Sequence, residues 1–392
     1  MDSVGSLLIS LGVIFLAALV FDVIGRRTWL PRVTLLMSFG LLAGPAGLDF
    51  FPGISEAWFP VVADMALVMV GFLLGGQLTS AEIRQRGGQV LRLSLAVVLI
   101  TFGVVAVGLW LVGAPAGIAI VLAALATATD PAATFDVVHE TGAETSFART
   151  LLDIVAIDDA WGILVFSLAL AFAELIGGGV VRDALAHGAW DLGGALLLGV
   201  GLGVPMAYLS GRIEPGEPTL YEALGMVFLC GGAALWLEVS FLLAAMVMGA
   251  VVVNLARHHT RPFHAIEGIE WPFMILFFVL AGASLDLGAL VQAGGWLVAF
   301  IGLRIVGRLG GGWLGGSLPP ADPEIRRWMG LALLPQAGVA LGMALVAAQR
   351  FPEVREAILP IVVAATAIFE LLGPIATRMA LRGAARASGP GG

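Results

Sequence analysis

Ile154-Val155-Ala156-Ile157-Asp158-Asp159-Ala160-Trp161-Gly162 opens an apolar stretch that runs to Phe172, with two adjacent carboxylates inside it. Upstream, Ala126-Thr127-Ala128-Thr129-Asp130-Pro131 interrupts a second apolar stretch. A charge midway along a hydrocarbon-spanning helix costs roughly 2.5 to 3.5 kcal/mol on insertion scales, so such a group usually lies on a water-filled path or beside a partner. Acids placed this way point to ion transport.

The whole composition agrees with a lipid solvent. Of the 392 residues 59% are hydrophobic and 12% charged, and the mean hydropathy is +1.00, whereas soluble domains carry about 25% charged residues. The fold class expected is an all-α polytopic membrane protein. The single cysteine, Cys230, can form neither an internal disulfide nor a cysteine-based metal site. Only Asp2 precedes the apolar run Leu7 to Val20, with no basic leader, so the first segment reads as a retained transmembrane helix.

With about 20 apolar residues needed per span, the chain divides into thirteen segments. They lie near residues 5–24, 33–48, 58–79, 90–112, 116–138, 150–174, 189–211, 219–237, 239–256, 270–287, 294–316, 327–348 and 357–381. Glu238 alone separates the eighth from the ninth. Residues 1–383 then form one integral membrane transport domain, and 384–392 read as a flexible tail. Every basic residue is an arginine; an outward N-terminus puts fifteen of the twenty on the cytoplasmic side, as the positive-inside rule requires. The expected location is the cell inner membrane, with a cytoplasmic C-terminus.

Segments one to six (about 1–176) and eight to thirteen (about 219–383), joined by the single helix near 189–211, would be inverted repeats. The fifth member of each half is interrupted, by Thr129-Asp130-Pro131 in one and by Leu334-Pro335-Gln336-Ala337-Gly338 in the other. Pro131 and Pro335 each remove a backbone donor, so both helices should open near the midplane, with Gly338 part of the second break. Two broken helices crossing there would leave opposed dipole ends, to be compensated by Asp130 and a nearby basic residue.

Each candidate has a plainer reading beside the functional one. Asp130 before Pro131 is a good helix cap as well as a candidate cation contact, and the Thr129 hydroxyl either bonds the preceding turn or lines the site. Asp158 and Asp159 point about 100 degrees apart on a helix, so they cannot share one task. Arg308 is the expected partner for one of them, with Arg304 as the alternative. Glu370, inside the last segment, is expected to bridge to Arg304. Asp153 reads as interfacial, Asp64 and Glu238 have no clear role, and His139, His258, His259 and His264 read as solvated loop residues. An intramembrane aspartyl protease is excluded, because its two acids must face each other across a gap.

These motifs resemble the monovalent cation:proton antiporter superfamily, the bacterial sodium/proton exchangers that share the NhaA-type fold. The matching pieces are Ala128-Thr129-Asp130-Pro131, Ala156 to Gly162, Phe277 to Leu287, Arg304-Ile305-Val306-Gly307-Arg308 and Glu370-Leu371-Leu372-Gly373-Pro374. The resemblance implies a thirteen-helix homodimer with a dimerising panel and a six-helix core that moves as an elevator. It also implies that Asp159 binds the cation and that Asp158 pairs with Arg308.

Two departures stand out. The Thr-Asp-Pro signature is more typical of the branch whose acidic pair is Asn-Asp, and the twelfth segment has Gln336-Ala337-Gly338 where many relatives have an Arg-Gly-Glu-type sequence. Where well-known electrogenic members carry lysine, this chain has Arg308, which keeps its proton; fewer protons per cycle and electroneutral exchange are the expectation. The expected activity is exchange of sodium or lithium for protons, the two competing for Asp159, whose oxygens suit a hard cation. Potassium/proton exchange or sodium-coupled symport on the same fold are the alternatives. Monovalent cations, protons and the bilayer are the expected partners; no cofactor, enzymatic activity or nucleic-acid partner is expected.

Overall fold

The computed structural model describes residues 3–27, 32–45, 47–48, 54–80, 87–143, 145–176, 181–209, 219–256, 260–283, 288, 291, 294–317, 322–336, 338–351 and 355–387. In chain order its helices are α1 (Ser3–Arg27), α2 (Arg32–Ala43), α3 (Ile54–Gly76), α4 (Gly87–Leu111), α5 (Ala116–Leu125), α6 (Pro131–Thr141), α7 (Ser146–Ile176) and α8 (Val181–Leu209). They continue as α9 (Thr219–Trp236), α10 (Phe241–Leu255), α11 (Thr260–Ala283), α12 (Gly294–Gly315), α13 (Pro323–Ala332), α14 (Gly338–Arg350) and α15 (Arg355–Ala387). There is no strand among the described residues. Six of these helices are long and apolar enough to cross a membrane, and shorter apolar helices accompany them. In hydrocarbon a helix is the form that satisfies its own backbone, and this is a polytopic helical membrane protein.

Several boundaries differ from the hydropathy reading. The tenth segment, expected to start near 270, begins at Thr260, because the helix carries on through the polar Glu267 and Glu270, which an apolar criterion rejects. The last helix runs to Ala387, so four residues assigned to the flexible tail are helical and one of them, Ala384, is buried; 388–392 lie outside the described residues. Glu238 does separate two helices. It adopts φ 55°, and Ser240 caps α10 by accepting from the Leu243 N–H at 3.3 Å.

Packing sorts the helices into two groups. In one, α4 runs along α12, α5 and α7 pack together, and α13 and α15 do the same. In the other, α10 packs on α3 and α8, and α11 on α2. Contacts between the groups are few, chiefly where α7 meets α8. Close approach of α4 and α12 depends on glycines four apart: a Cβ on Gly307 would stand 2.9 Å from the Thr101 Cα, and one on Gly311 2.8 Å from the Val97 Cα. Without a hydrophobic drive between helices in lipid, such backbone approach supplies dispersion energy that larger residues would prevent.

Candidate functional site at two helix breaks

The first group holds both interrupted helices. α5 stops at Leu125, the Thr127 hydroxyl turns back to donate to the Ala124 carbonyl at 2.7 Å, and α6 restarts at Pro131. Proline suits this first helical position, where its missing N–H has no partner to lose. Asp130 caps the new helix: its Oδ1 accepts from the Ala133 N–H at 3.1 Å, and its carbonyl accepts from the Thr134 hydroxyl at 2.8 Å. The second break lies between Ala332, the end of α13, and Gly338, the start of α14. Pro335 disfavours helical backbone at Leu334 before it, and the turn does not close.

The breaks leave carbonyl groups at the ends of α5 and α13, where the helix dipoles concentrate negative charge. Arg304 satisfies both ends at once. Its Nε donates to the Ala126 carbonyl at 3.1 Å, Nη1 to Leu334 at 2.8 Å, and Nη2 to Ala128 at 2.9 Å and Pro335 at 3.4 Å. The ring of Phe369 lies 4.2 Å from its guanidinium carbon. Gln336 adds a direct tie between the breaks, its Nε2 donating to the Leu125 carbonyl at 3.0 Å.

One turn further along α12, Arg308 Nη1 donates to Oδ2 of Asp158 at 2.9 Å, and both side chains are wholly buried. Arg308 Nη2 donates to the Thr127 carbonyl. Two helices, α12 and α7, and the first break therefore share this ion pair. Thr129 stands beside the Asp158 carboxylate without a hydrogen bond of normal geometry. Among the described residues, Asp158 Oδ1, Thr129 Oγ1 and Gln336 Oε1 are buried oxygens with no hydrogen-bond partner. Such orphaned acceptors are uncommon and costly, by roughly 1 to 3 kcal/mol each. They supply the hard oxygen chemistry that suits an alkali cation or water.

The pattern of the transmembrane sodium/hydrogen exchanger family matches residues 11–383. The chain belongs to the sodium/hydrogen exchanger family. Among curated relatives it is 24% identical over 323 residues to the ammonium/proton antiporter subunit AmhT of Alkalihalophilus pseudofirmus, covering 79% of each chain. It is 26% identical over 300 residues to the putative potassium efflux antiporter KefB of Alkalimonas amylolytica, covering 72% of this chain and 44% of that protein. The fold is that of the sodium proton antiporter MjNhaP1 from Methanocaldococcus jannaschii, with TM-score 0.76 and 19% identity over 96% of this chain and 99% of that one. A second structure of the same antiporter aligns with TM-score 0.68, at 19% identity over 97% of this chain and 96% of that one. Cation/proton antiport is the activity of the family, whose members are transporters rather than enzymes.

Within this exchanger the structure brings Thr129, Asp158, Arg304, Arg308 and Pro335 to one place. Position 159 follows on α7, and its side chain lies outside the described residues, as do those of His139, His258, His259 and residues 284–287. Glu370 is buried on α15 next to Phe369. The Arg304 guanidinium donates to carbonyl oxygens of both breaks, and among the described residues no bond between it and Glu370 accompanies these. Asp64 accepts from Gln349 Nε2 at 3.5 Å, and His264 is exposed. Sequence reasoning expected a basic residue at the dipole ends but did not assign Arg304 to both breaks, and it missed the Gln336 tie. The spacing of Arg304 and Arg308 was the available signal: four apart, they share one helix face.

Proposed function

We propose that the protein is a secondary antiporter that exchanges sodium or lithium for protons, the two competing for Asp159, by elevator-type alternating access. The observation that carries this reading is the commitment of Asp158 to Arg308. With the first carboxylate neutralised by a permanent cation, Asp159 is the acid left to exchange its charge. A desolvated carboxylate holds a proton or a dehydrated cation, rarely both. Family membership supports the class of reaction, and the buried oxygens of Thr129 and Asp158 fit the donor set.

The sparse contacts between the two helix groups suit a core that slides against a panel. Among the described helices, counting α5 with α6 and α13 with α14 as single broken spans makes thirteen. Inverted halves are favoured by paired packing: α3 with α10 corresponds to α11 with α2, and α5 with α4 to α13 with α12. A homodimer in the inner membrane, N-terminus outside, completes the reading. Potassium or ammonium exchange is the second reading, favoured by the names of the relatives KefB and AmhT.

Reconstitution with an internal pH-sensitive dye tests the proposal, sodium, lithium and potassium being added in turn. Wild type should move protons on addition of sodium or lithium, and Asp159→Asn should not. Unimpaired exchange by Asp159→Asn would overturn competition at that residue, and a response to potassium alone would replace the cation. Because Arg308 keeps its proton, exchange should be electroneutral; a rate that follows an imposed membrane potential would refute that part.

A further inference from the structure

We propose that a groove between the end of α12 and the start of α13 binds an anionic phospholipid, with its phosphate at Arg326 and Arg327 and an acyl chain along α12. The groove has a volume of about 720 Å³ and is lined by Leu309, Trp313, Ser317, Arg326 and Arg327, among others. Glycine contacts create it. A Cβ on Gly316 would stand 2.5 Å from the Arg326 Cα, so the two helices touch at this end of the groove.

Both arginines are exposed, and among the described residues neither has a carboxylate within ion-pair distance, although Asp322 and Glu324 share the same first turn. The Arg326 guanidinium carbon lies 4.6 Å from the centre of the Trp313 ring, and both residues line the groove. Two guanidinium groups without an ion pair among the described residues, Arg326 over Trp313 and Arg327 5.3 Å from the centre of the Trp328 ring, at the end of a membrane-spanning helix, match the level at which aromatic rings and headgroups meet.

The apolar half of the site continues down α12. Trp313 is 49% exposed, Leu309 40%, Val306 58% and Val298 71%, and their spacing of four, three and eight residues makes one outward stripe. A free phosphate would use the arginines and leave this stripe unused. A phospholipid uses both, so charge and apolar surface together favour the lipid. Bound there, it would join α12, which carries Arg304 and Arg308, to the first half of the second broken helix.

Native mass spectrometry of the purified full-length protein tests this, with palmitoyl-oleoyl phosphatidylglycerol, the matching phosphatidylcholine, and inorganic phosphate as separate probes. Phosphatidylglycerol should be preferred over phosphatidylcholine by about thirtyfold, since each basic residue near an anionic headgroup is worth roughly fivefold. Raising the salt should weaken the preference. Arg326→Gln with Arg327→Gln should abolish it, while Arg149→Gln, at an exposed arginine elsewhere, should keep it. Trp313→Ala should lower phosphatidylglycerol retention and leave phosphate binding unchanged, and it serves if the double variant does not fold. Equal retention of the two lipids by wild type, an undiminished preference in the double variant, full phosphatidylglycerol retention by Trp313→Ala, or inorganic phosphate competing as well as lipid would each overturn the proposal.

Discussion

The two helix breaks solve the same problem with different chemistry. At 126–130 the chain is stabilised locally: Asp130 caps α6 through the Ala133 N–H, and Thr127 bonds back to Ala124. At 333–336 the side-chain bonds run across to the first break, through Gln336 to Leu125 and through Arg304 to Leu334 and Pro335. Gly373 on α15 backs the second break so closely that a Cβ there would stand 2.5 Å from the Pro335 Cα. The first break thus adds a cap of its own to the bonds it receives from Arg304, Arg308 and Gln336, and among the described residues the second has no such side-chain cap. This suggests that the second will be the more easily disturbed from a distance.

Removing the shared donor should have the largest effect. Arg304→Ala leaves carbonyls of both breaks without partners, at roughly 1 to 3 kcal/mol for each buried group, and should lower the thermal unfolding midpoint in detergent more than any other substitution here. Arg304→Lys, with its compact charge and different donor geometry, should recover only part. If Arg304→Ala unfolds like wild type, the breaks are not joined through this residue.

Next comes the buried pair. Arg308→Gln and Asp158→Asn each strand one member, which typically costs about 3 to 5 kcal/mol when the site stays dry. The double variant should be less damaged than the sum of the two, and a strictly additive double-mutant cycle would mean that the pair is not coupled. Some of this cost is relieved if water reaches the stranded group, which is why the effect ranks below that of Arg304.

Gly373→Ala should act through the second break alone. It forces α15 away from Pro335, at a cost of about 1 to 3 kcal/mol for overpacking, and it should accelerate proteolysis or hydrogen exchange near 333–338 while sparing 126–131. Equal effects on both regions would erase the asymmetry. The smallest change is expected from Asp130→Ala, which removes a cap worth about 1 kcal/mol; Asp130→Asn should restore most of it. A complete loss of transport in Asp130→Asn, with stability unchanged, would instead give this carboxylate a direct part in cation binding.

Much of this was legible in the sequence because the strongest signals are costs. Acids at 130, 158 and 159 and prolines at 131 and 335 are expensive inside lipid, so their positions marked the breaks and the site before any packing was known. Helix ends were less legible: α11 starts ten residues before its apolar portion, and α15 continues past Ala384, since buried or interfacial contacts extend a helix where hydropathy has already fallen. Glu370 illustrates another limit. An acid and an arginine on neighbouring helices invite pairing, but residue types alone do not show that the carbonyls of two unwound turns also call on the same guanidinium.

By itself the sequence determined the lipid solvent, the helical class, the two interruptions and the acids beside them, because each follows from residue type and order along one segment. Only the tertiary structure decided which arginine serves which charge. Arg304 and Arg308 have the same chemistry and lie on the same helix face, so nothing local separates them. Their depth along α12 against the carbonyls of two distant breaks and the carboxylate of Asp158 sends one to backbone oxygens and the other to the ion pair.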